Sequence, residues 1–362
     1  MNERLSHTLT GIAVWWILLL PFDYALFNGI FRFVQIPAYS LLHRADKDLV
    51  FESDTYGTYV LVSLSILLGA LSTPAIKWAC LRMNLQATGL LQTVLAAILF
   101  FFLFKYGWDK IVKMQFYLPE PNTVYTPFGK LSKDIAYWSL VGSSYTYTVT
   151  LGIIEVLTAL LLVFKRTQFL ASLLAIGIFG QVVLVNFSFD ISVKLLASSL
   201  LVFSLIYSFC FRENWKSIFG FPSTILLPVS SKRHRLLKFG FVLLVVAESV
   251  YPALWSNNLN DDRFPRPVYH GAYRVIGSKQ VKHLFIHRQH YLILQSANDA
   301  FKDYRLNPAS PEGYTSADGT ISCNFAQSRV VIGRDTFRIA PIPYKELPLL
   351  QESFHPFADE FH

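Results

Sequence analysis

GIIEVLTALLLVFKRT, Gly152 to Thr167, carries one carboxylate, Glu155, within an apolar run long enough to sit in lipid. An unpaired carboxylate at the centre of a membrane helix costs at least about 2.5–3.5 kcal/mol even on lenient insertion scales. The run therefore raises two linked questions: whether the chain is built for a bilayer, and what Glu155 meets there. Glu155 lies about ten residues into the longer helix that begins near Tyr145, which at about 1.5 Å of rise per residue puts it near mid-bilayer.

Composition answers the first question. Of 362 residues, 53% are hydrophobic and only 15% are charged, with a mean hydropathy of +0.39. Soluble domains average about 25% charged residues. Aromatic residues reach 15%, as expected where Trp and Tyr mark lipid–water boundaries. The net charge of +8 does not point to nucleic acid, because the basic residues fall in loops between apolar runs, where they act as orientation signals. The three cysteines, Cys80, Cys210 and Cys323, are far apart, with no C-x-x-C and no zinc-like spacing, so they are expected to be inert.

A helix needs about 20 apolar residues to cross a bilayer core. Seven candidates are legible: Leu9 to Leu41, interrupted by Pro21, Asp23 and Pro37; Gly57 to Met83; Thr88 to Phe104; Tyr145 to Phe164; Phe169 to Val185; Ile191 to Phe211; and Phe239 to Trp255. The first is too long for a signal peptide and lacks a clear cleavage site. Basic loops holding Lys77 and Arg82, Lys165 and Arg166, and SKRHRLLK fall on one side, which the positive-inside rule makes cytoplasmic. The N-terminus is then cytoplasmic and the C-terminus is outside. The loop Lys105 to Ser144, with five lysines, also falls outside; a long loop obeys the rule weakly.

After Trp255 the pattern changes. SNNLNDDRFPRP is a polar, proline-bearing junction. The runs GAYRVIG, VKHLFIH, HYLILQ, TISCNFA, RVVIG and TFRIAPI then alternate apolar and polar residues between turn formers. They predict a small antiparallel β domain from about residue 262, a meander or incomplete barrel.

Three readings of Glu155 stay open: a structural polar cluster that sets helix register, the polar floor of a pocket for a lipophilic molecule, or part of a proton pathway. Its candidate cations are Lys194, Lys105 and Lys110. Asp190 and Lys194 share one helix face at an i, i+4 spacing, and Asp190 is placed to cap the sixth span. Glu248 in the last span is a second membrane carboxylate whose role the sequence leaves open. Lys105, Lys110 and Lys113 read as snorkelling side chains of an interfacial segment, and PEPNTVYTPFGK as a loop over the mouth of the bundle. His283, His287 and His290 cluster, but no acidic or cysteine partner at fixed spacing makes them a metal site. No G-x-S-x-G, P-loop, Rossmann fingerprint or H-E-x-x-H occurs.

KYGWDKIVKMQF, YTVTLGIIEVLTALLLVFKRTQFLASLLAIG and VNFSFDISVKLLASSLL together resemble the DoxX-like membrane proteins, over roughly residues 88 to 211. Gly107, Lys110 and Glu155 match that family's Gly-x-x-Lys element and the Glu of its second core helix, and NFSFDISVKL looks like the corresponding element of its longer bacterial members. HLFIHRQHYLILQ, DYRL and LPLLQESFH look like their tail. The resemblance implies that Lys110, Glu155, Asn186, Asp190 and Lys194 form one polar cluster, and it makes a quinone the conceivable cofactor.

The expected architecture is an all-α transmembrane bundle of about seven spans with a DoxX-like four-helix core, plus a small C-terminal antiparallel β domain. Its parts are N-terminal membrane helices (1–87), the core (88–211), a cytoplasmic loop and last span (212–261) and a periplasmic domain (262–362). The expected role is a non-catalytic or accessory component of a bacterial inner membrane, binding a lipophile or a membrane or periplasmic partner protein, and no nucleic acid. A quinone-linked oxidoreductase subunit and a proton-coupled or small-solute transporter are the alternatives.

Overall fold

The structure, a computed structural model, describes residues 2–20, 25–26, 31–33, 35–36, 54–220, 232–256, 266–310 and 313–351. Two compact units account for the chain: Met1–Ile111 with Thr150–Trp255, and Val112–Val149 with Ser256–His362.

The first unit is helical. Helix α1 (Glu3–Leu19) begins where the Asn2 side chain accepts the backbone N–H of Arg4. Helix α2 (Tyr56–Leu71) starts on a Thr55 cap that accepts from Thr58. It breaks at Ser72, and α3 (Thr73–Arg82) continues at 52°. Pro74 explains the break, because it has no N–H to bond back into α2 and suits the first turn of a new helix. Then come α4 (Ala87–Ile111), α5 (Pro121–Val124), α6 (Lys133–Ser143), α7 (Tyr145–Val163), α8 (Gln168–Ser188), α9 (Lys194–Phe209), α10 (Arg212–Ile218) and α11 (Lys232–Ser256). Among them α5, α6 and the first turn of α7 belong to the second unit. Leu91, Leu95, Leu99, Phe102 and Leu103 of α4 are buried against Trp16 of α1, Leu162 of α7, Ala175 of α8 and Leu200 and Phe203 of α9. Trp16 meets Phe203 edge-on at 5.0 Å between ring centroids.

By length and composition, four helices among the described residues can cross a membrane: α4, α7, α8 and the Arg235–Ser256 part of α11. The number rises to six if α2 with α3, and α9 with α10, each make one span; the second pair bends by 76°. Several apolar helices of this kind are consistent with a multi-pass membrane protein. Of the long first span, α1 has 17 residues and ends at Leu19, while Pro21, Asp23 and Pro37 lie outside the described residues.

The β part corrects the expected small β domain. Strands β1 (Gly271–Ile276), β2 (Val281–His287), β3 (Tyr291–Ser296), β4 (Phe301–Ser310), β5 (Gly313–Ser316), β6 (Ile321–Asn324), β7 (Arg329–Ile332) and β8 (Asp335–Ile342) form a closed antiparallel barrel. Each strand pairs with the next, and β8 closes on β1 with Ala272 opposite Ile342. The six quoted runs correspond to six of these strands. The two missed, β4 and β5, have a physical reason to be faint. FKDYRL buries only Leu306, and Pro308 within a run ordinarily argues against a strand. Closure itself pairs residues some 70 positions apart in sequence, and local alternation carries no record of that.

Side chains fill the barrel interior, as in small barrels generally. Leu284, Ile286, Leu292, Leu294, Leu306, Ile321, Cys323, Val330 and Ile339 are buried together. That packing pushes the Cys323 thiol up to about 12, so it behaves as a small hydrophobe. Phe285 and Ile293, which alternate with these residues, point outward and are buried all the same. Leu118, Val124 and Tyr125 cover them. The segment that includes PEPNTVYTPFGK is thus part of the barrel's own unit. Gln295 donates to the Tyr125 carbonyl at 3.1 Å, and Lys130 reaches the carbonyls of Asn298 and Asp299, both at 3.3 Å.

Candidate functional site

Glu155 on α7 meets Lys110 on α4, with Lys110 Nζ 2.9 Å from Glu155 Oε2 and only 9% of each side chain exposed. The two helices approach closely because two glycines face each other. A Cβ on Gly107 would lie 2.8 Å from the Gly152 carbonyl oxygen and 2.9 Å from Glu155 Cβ. Gly107 is three residues before Lys110, and Gly152 three before Glu155, so one helical turn joins each contact glycine to each charge. Close approach and ion pair are therefore one local design. Lys105 pairs with Asp109 one turn earlier on α4, and Asp109 is near enough to interact with Glu155. Two cations and two anions then balance inside a largely apolar unit.

The three lysines read as snorkelling have partners and are buried. Lys105 binds Asp109, Lys110 binds Glu155, and Lys113 donates to the Gly142 carbonyl at 2.9 Å and to Thr148 at 3.4 Å.

The other three residues of the expected cluster gather at the turn between α8 and α9. Lys194 Nζ is 2.7 Å from Asp190 Oδ1, and the Asp190 side chain is 85% exposed. Asn186 is buried and donates to the Val193 carbonyl at 3.3 Å. Asp190 has a φ of 55° and lies in the turn, outside the helix that it was expected to cap. Asp54 does the capping instead: its carboxylate accepts from the backbone N–H groups of Lys194 at 2.8 Å and Leu195 at 3.0 Å. Sequence reading missed Asp54 because a cap from 140 residues away has no local signature. Glu248, fully buried on α11, accepts from the backbone N–H groups of Ala25 and Leu26.

A second charged centre lies within the barrel unit, around Glu120. This residue sits at the start of α5 with its side chain buried. Its carboxylate is 2.9 Å from His270 Nε2, 3.3 Å from Arg288 Nε and 3.8 Å from His287 Nε2, and it accepts from the Arg288 backbone N–H at 3.2 Å. The Arg288 guanidinium stacks over the Tyr117 ring. Burial pushes Arg288 down to about 10, which leaves it charged at neutral pH, and pulls His287 below its ordinary value despite the nearby carboxylate. Glu120 was invisible as a site residue because its partners lie about 150 residues downstream. His283 bonds Gln295 at 2.8 Å and lies against Tyr125, while His290 occupies a turn at a φ of 60°. No group of three or more metal-ligating side chains occurs among the described residues.

Comparison with known proteins finds a relative in Bacillus subtilis (strain 168), the uncharacterized protein YwoB. It is 36% identical over 116 residues, which cover 32% of this chain and 73% of the relative. The chain belongs to the same family as YwoB. No family model matches the chain, and no solved structure matches it.

Proposed function

We propose that this member of the YwoB family is a DoxX-type protein of a bacterial inner membrane. It acts as a non-catalytic accessory component that binds a lipophile or a partner protein. The observation that carries this reading is the Lys110–Glu155 pair, buried between two helices each long and apolar enough to cross a membrane. A buried ion pair is weak evidence for stability, because apolar replacements of the same volume often hold a fold as well or better. Charged groups at membrane depth are by default functional candidates. The likeness of KYGWDKIVKMQF and GIIEVLTALLLV to the DoxX-like pattern points to the same two residues.

The extramembrane unit supports a binding role of a second kind. Its barrel interior is occupied by the protein's own side chains, so binding falls to its outer surface and loops. The unit combines Val112–Val149 with the C-terminal barrel. With α9 and its bent continuation α10 taken as one span, four crossings, through α7, α8, that pair and α11, separate those two parts, and an even number returns the chain to the side it left. With the basic loops inside, that side is periplasmic.

Mass spectrometry of gently extracted protein tests the reading. The expected result is a stoichiometric lipophile or partner protein that Glu155→Gln diminishes. A bound quinone would favour the quinone-linked alternative within the same frame. Protein that carries neither lipophile nor partner, in wild type as in the variant, would refute it.

A further inference from the structure

The two bent helix pairs share one end of the helical unit and one chemistry. Helices α2 and α9 have 16 residues each, or about 24 Å at 1.5 Å per residue, short of the roughly 30 Å of a bilayer core. Each turns at its end into a short helix, α3 at 52° and α10 at 76°. Both short helices carry a tryptophan beside a lysine, Trp78 with Lys77 and Trp215 with Lys216, and each has an arginine, Arg82 and Arg212. Trp78, Leu81 and Met83 are exposed around α3, as are Ile218 and Phe219 around α10. The Arg82 guanidinium lies over the Trp78 ring at 5.8 Å from its centroid.

Contacts within the unit bring the two helices to the same end. Thr8, near the start of α1, bonds Thr73 of α3 at 2.9 Å. Residues 83–86 lead from α3 directly into α4, where Gln92 donates to the Cys210 carbonyl at the foot of α9. Phe169, at the start of α8, meets Trp215 of α10 at 5.5 Å between ring centroids. The linker before α8 adds Lys165 and Arg166. Lys77, Arg82, Lys165, Arg166, Arg212 and Lys216 make six bases; the acids at this end, among the described residues, are Glu213, which Lys216 engages at 2.7 Å, and Glu3 at the start of α1, whose charge its neighbour Arg4 offsets.

We propose that α3 and α10 lie in the lipid–water interface and form a binding surface for the anionic headgroups of phospholipids. Tryptophan favours that depth, exposed leucine and isoleucine dip into the acyl boundary, and the lysines and arginines meet phosphate. Charge complementarity commits the surface to anionic lipid: a zwitterionic headgroup offers no net charge to an excess of five positive ones. The surface is separate from the Lys110–Glu155 pair.

The test uses the full chain in nanodiscs of phosphatidylcholine and phosphatidylglycerol. Native mass spectrometry of the ejected complex reads the preference for the anionic lipid. Each basic residue near an anionic surface contributes about 1 kcal/mol, so Lys77→Gln and Arg82→Gln should each lower that preference about fivefold. Both side chains are exposed, so the fold is expected to survive. Lys302→Gln, on the barrel, should leave the preference unchanged. Equal uptake of both lipids by the wild type, or a preference untouched by Lys77→Gln with Arg82→Gln, overturns the proposal. Loss on Lys302→Gln instead would also overturn it, by moving the anionic site to the barrel. Failure to enter any bilayer would overturn this proposal and the membrane reading together, whereas loss of the lipid preference alone leaves the accessory reading standing.

Discussion

Removing either partner of the Lys110–Glu155 pair should cost more than removing both. The charges are 2.9 Å apart and only 9% of each side chain is exposed. At an effective dielectric of about 20, two unit charges at that separation attract by roughly 5–6 kcal/mol, and desolvation takes back much of it. Glu155→Leu leaves the Lys110 ammonium buried without its main anion, and Lys110→Met does the reverse to Glu155. Each single variant should lose about 3–5 kcal/mol of stability. Glu155→Gln keeps an oxygen in reach of the ammonium and should lose less, about 1–3 kcal/mol. The double variant Lys110→Met/Glu155→Leu removes both charges and fills the space, so it should fall within about 2 kcal/mol of wild type. Equilibrium unfolding of the full chain in one detergent, followed by intrinsic fluorescence, measures all four. A coupling energy of at least about 2 kcal/mol is expected from the cycle. If the two single losses simply add in the double variant, the pair is not an energetic unit and the reasoning fails.

Three further outcomes are expected. Gly107→Ala should push α4 and α7 apart, since the new Cβ would lie 2.8 Å from the Gly152 carbonyl oxygen; a loss of about 1–3 kcal/mol is expected, and an unchanged unfolding midpoint would contradict the close approach. Glu120→Ala should leave a buried arginine without its carboxylate and loosen residues 112–130 from the barrel, raising amide exchange there by orders of magnitude for a loss of about 3–5 kcal/mol; unchanged protection would show that apolar contacts alone hold the segment. His287, held below its ordinary value of 6.5 by burial, is favoured neutral in the folded state, so the unfolded chain binds the extra proton first. Its stabilisation is complete above about pH 6.5 and declines as pH falls below that value; the His287→Gln variant should lose less stability than wild type over that descent, and parallel curves would refute it.

The sequence by itself determined the apolar helices, their approximate limits and the existence of an alternating β region after Trp255. These features are local: a run of about 20 apolar residues, or a period of two, is set by neighbours in the chain. It also singled out Glu155 and offered Lys110 among its partners, because a carboxylate in an apolar helix is conspicuous wherever its partner lies. Choosing Lys110 took the tertiary structure, since the Gly107–Gly152 approach that brings the two side chains together depends on how two distant helices pack. The same holds for Asp54 capping α9 from 140 residues away, and for Glu120, an unremarkable loop residue until the fold places it beside His270 and Arg288. Barrel closure and the enlistment of residues 112–149 into the barrel's unit were likewise decided only in three dimensions. Pairing across 70 residues, and burial of Phe285 and Ile293 beneath a segment inserted between helices, are contacts between parts of the chain whose local patterns are independent.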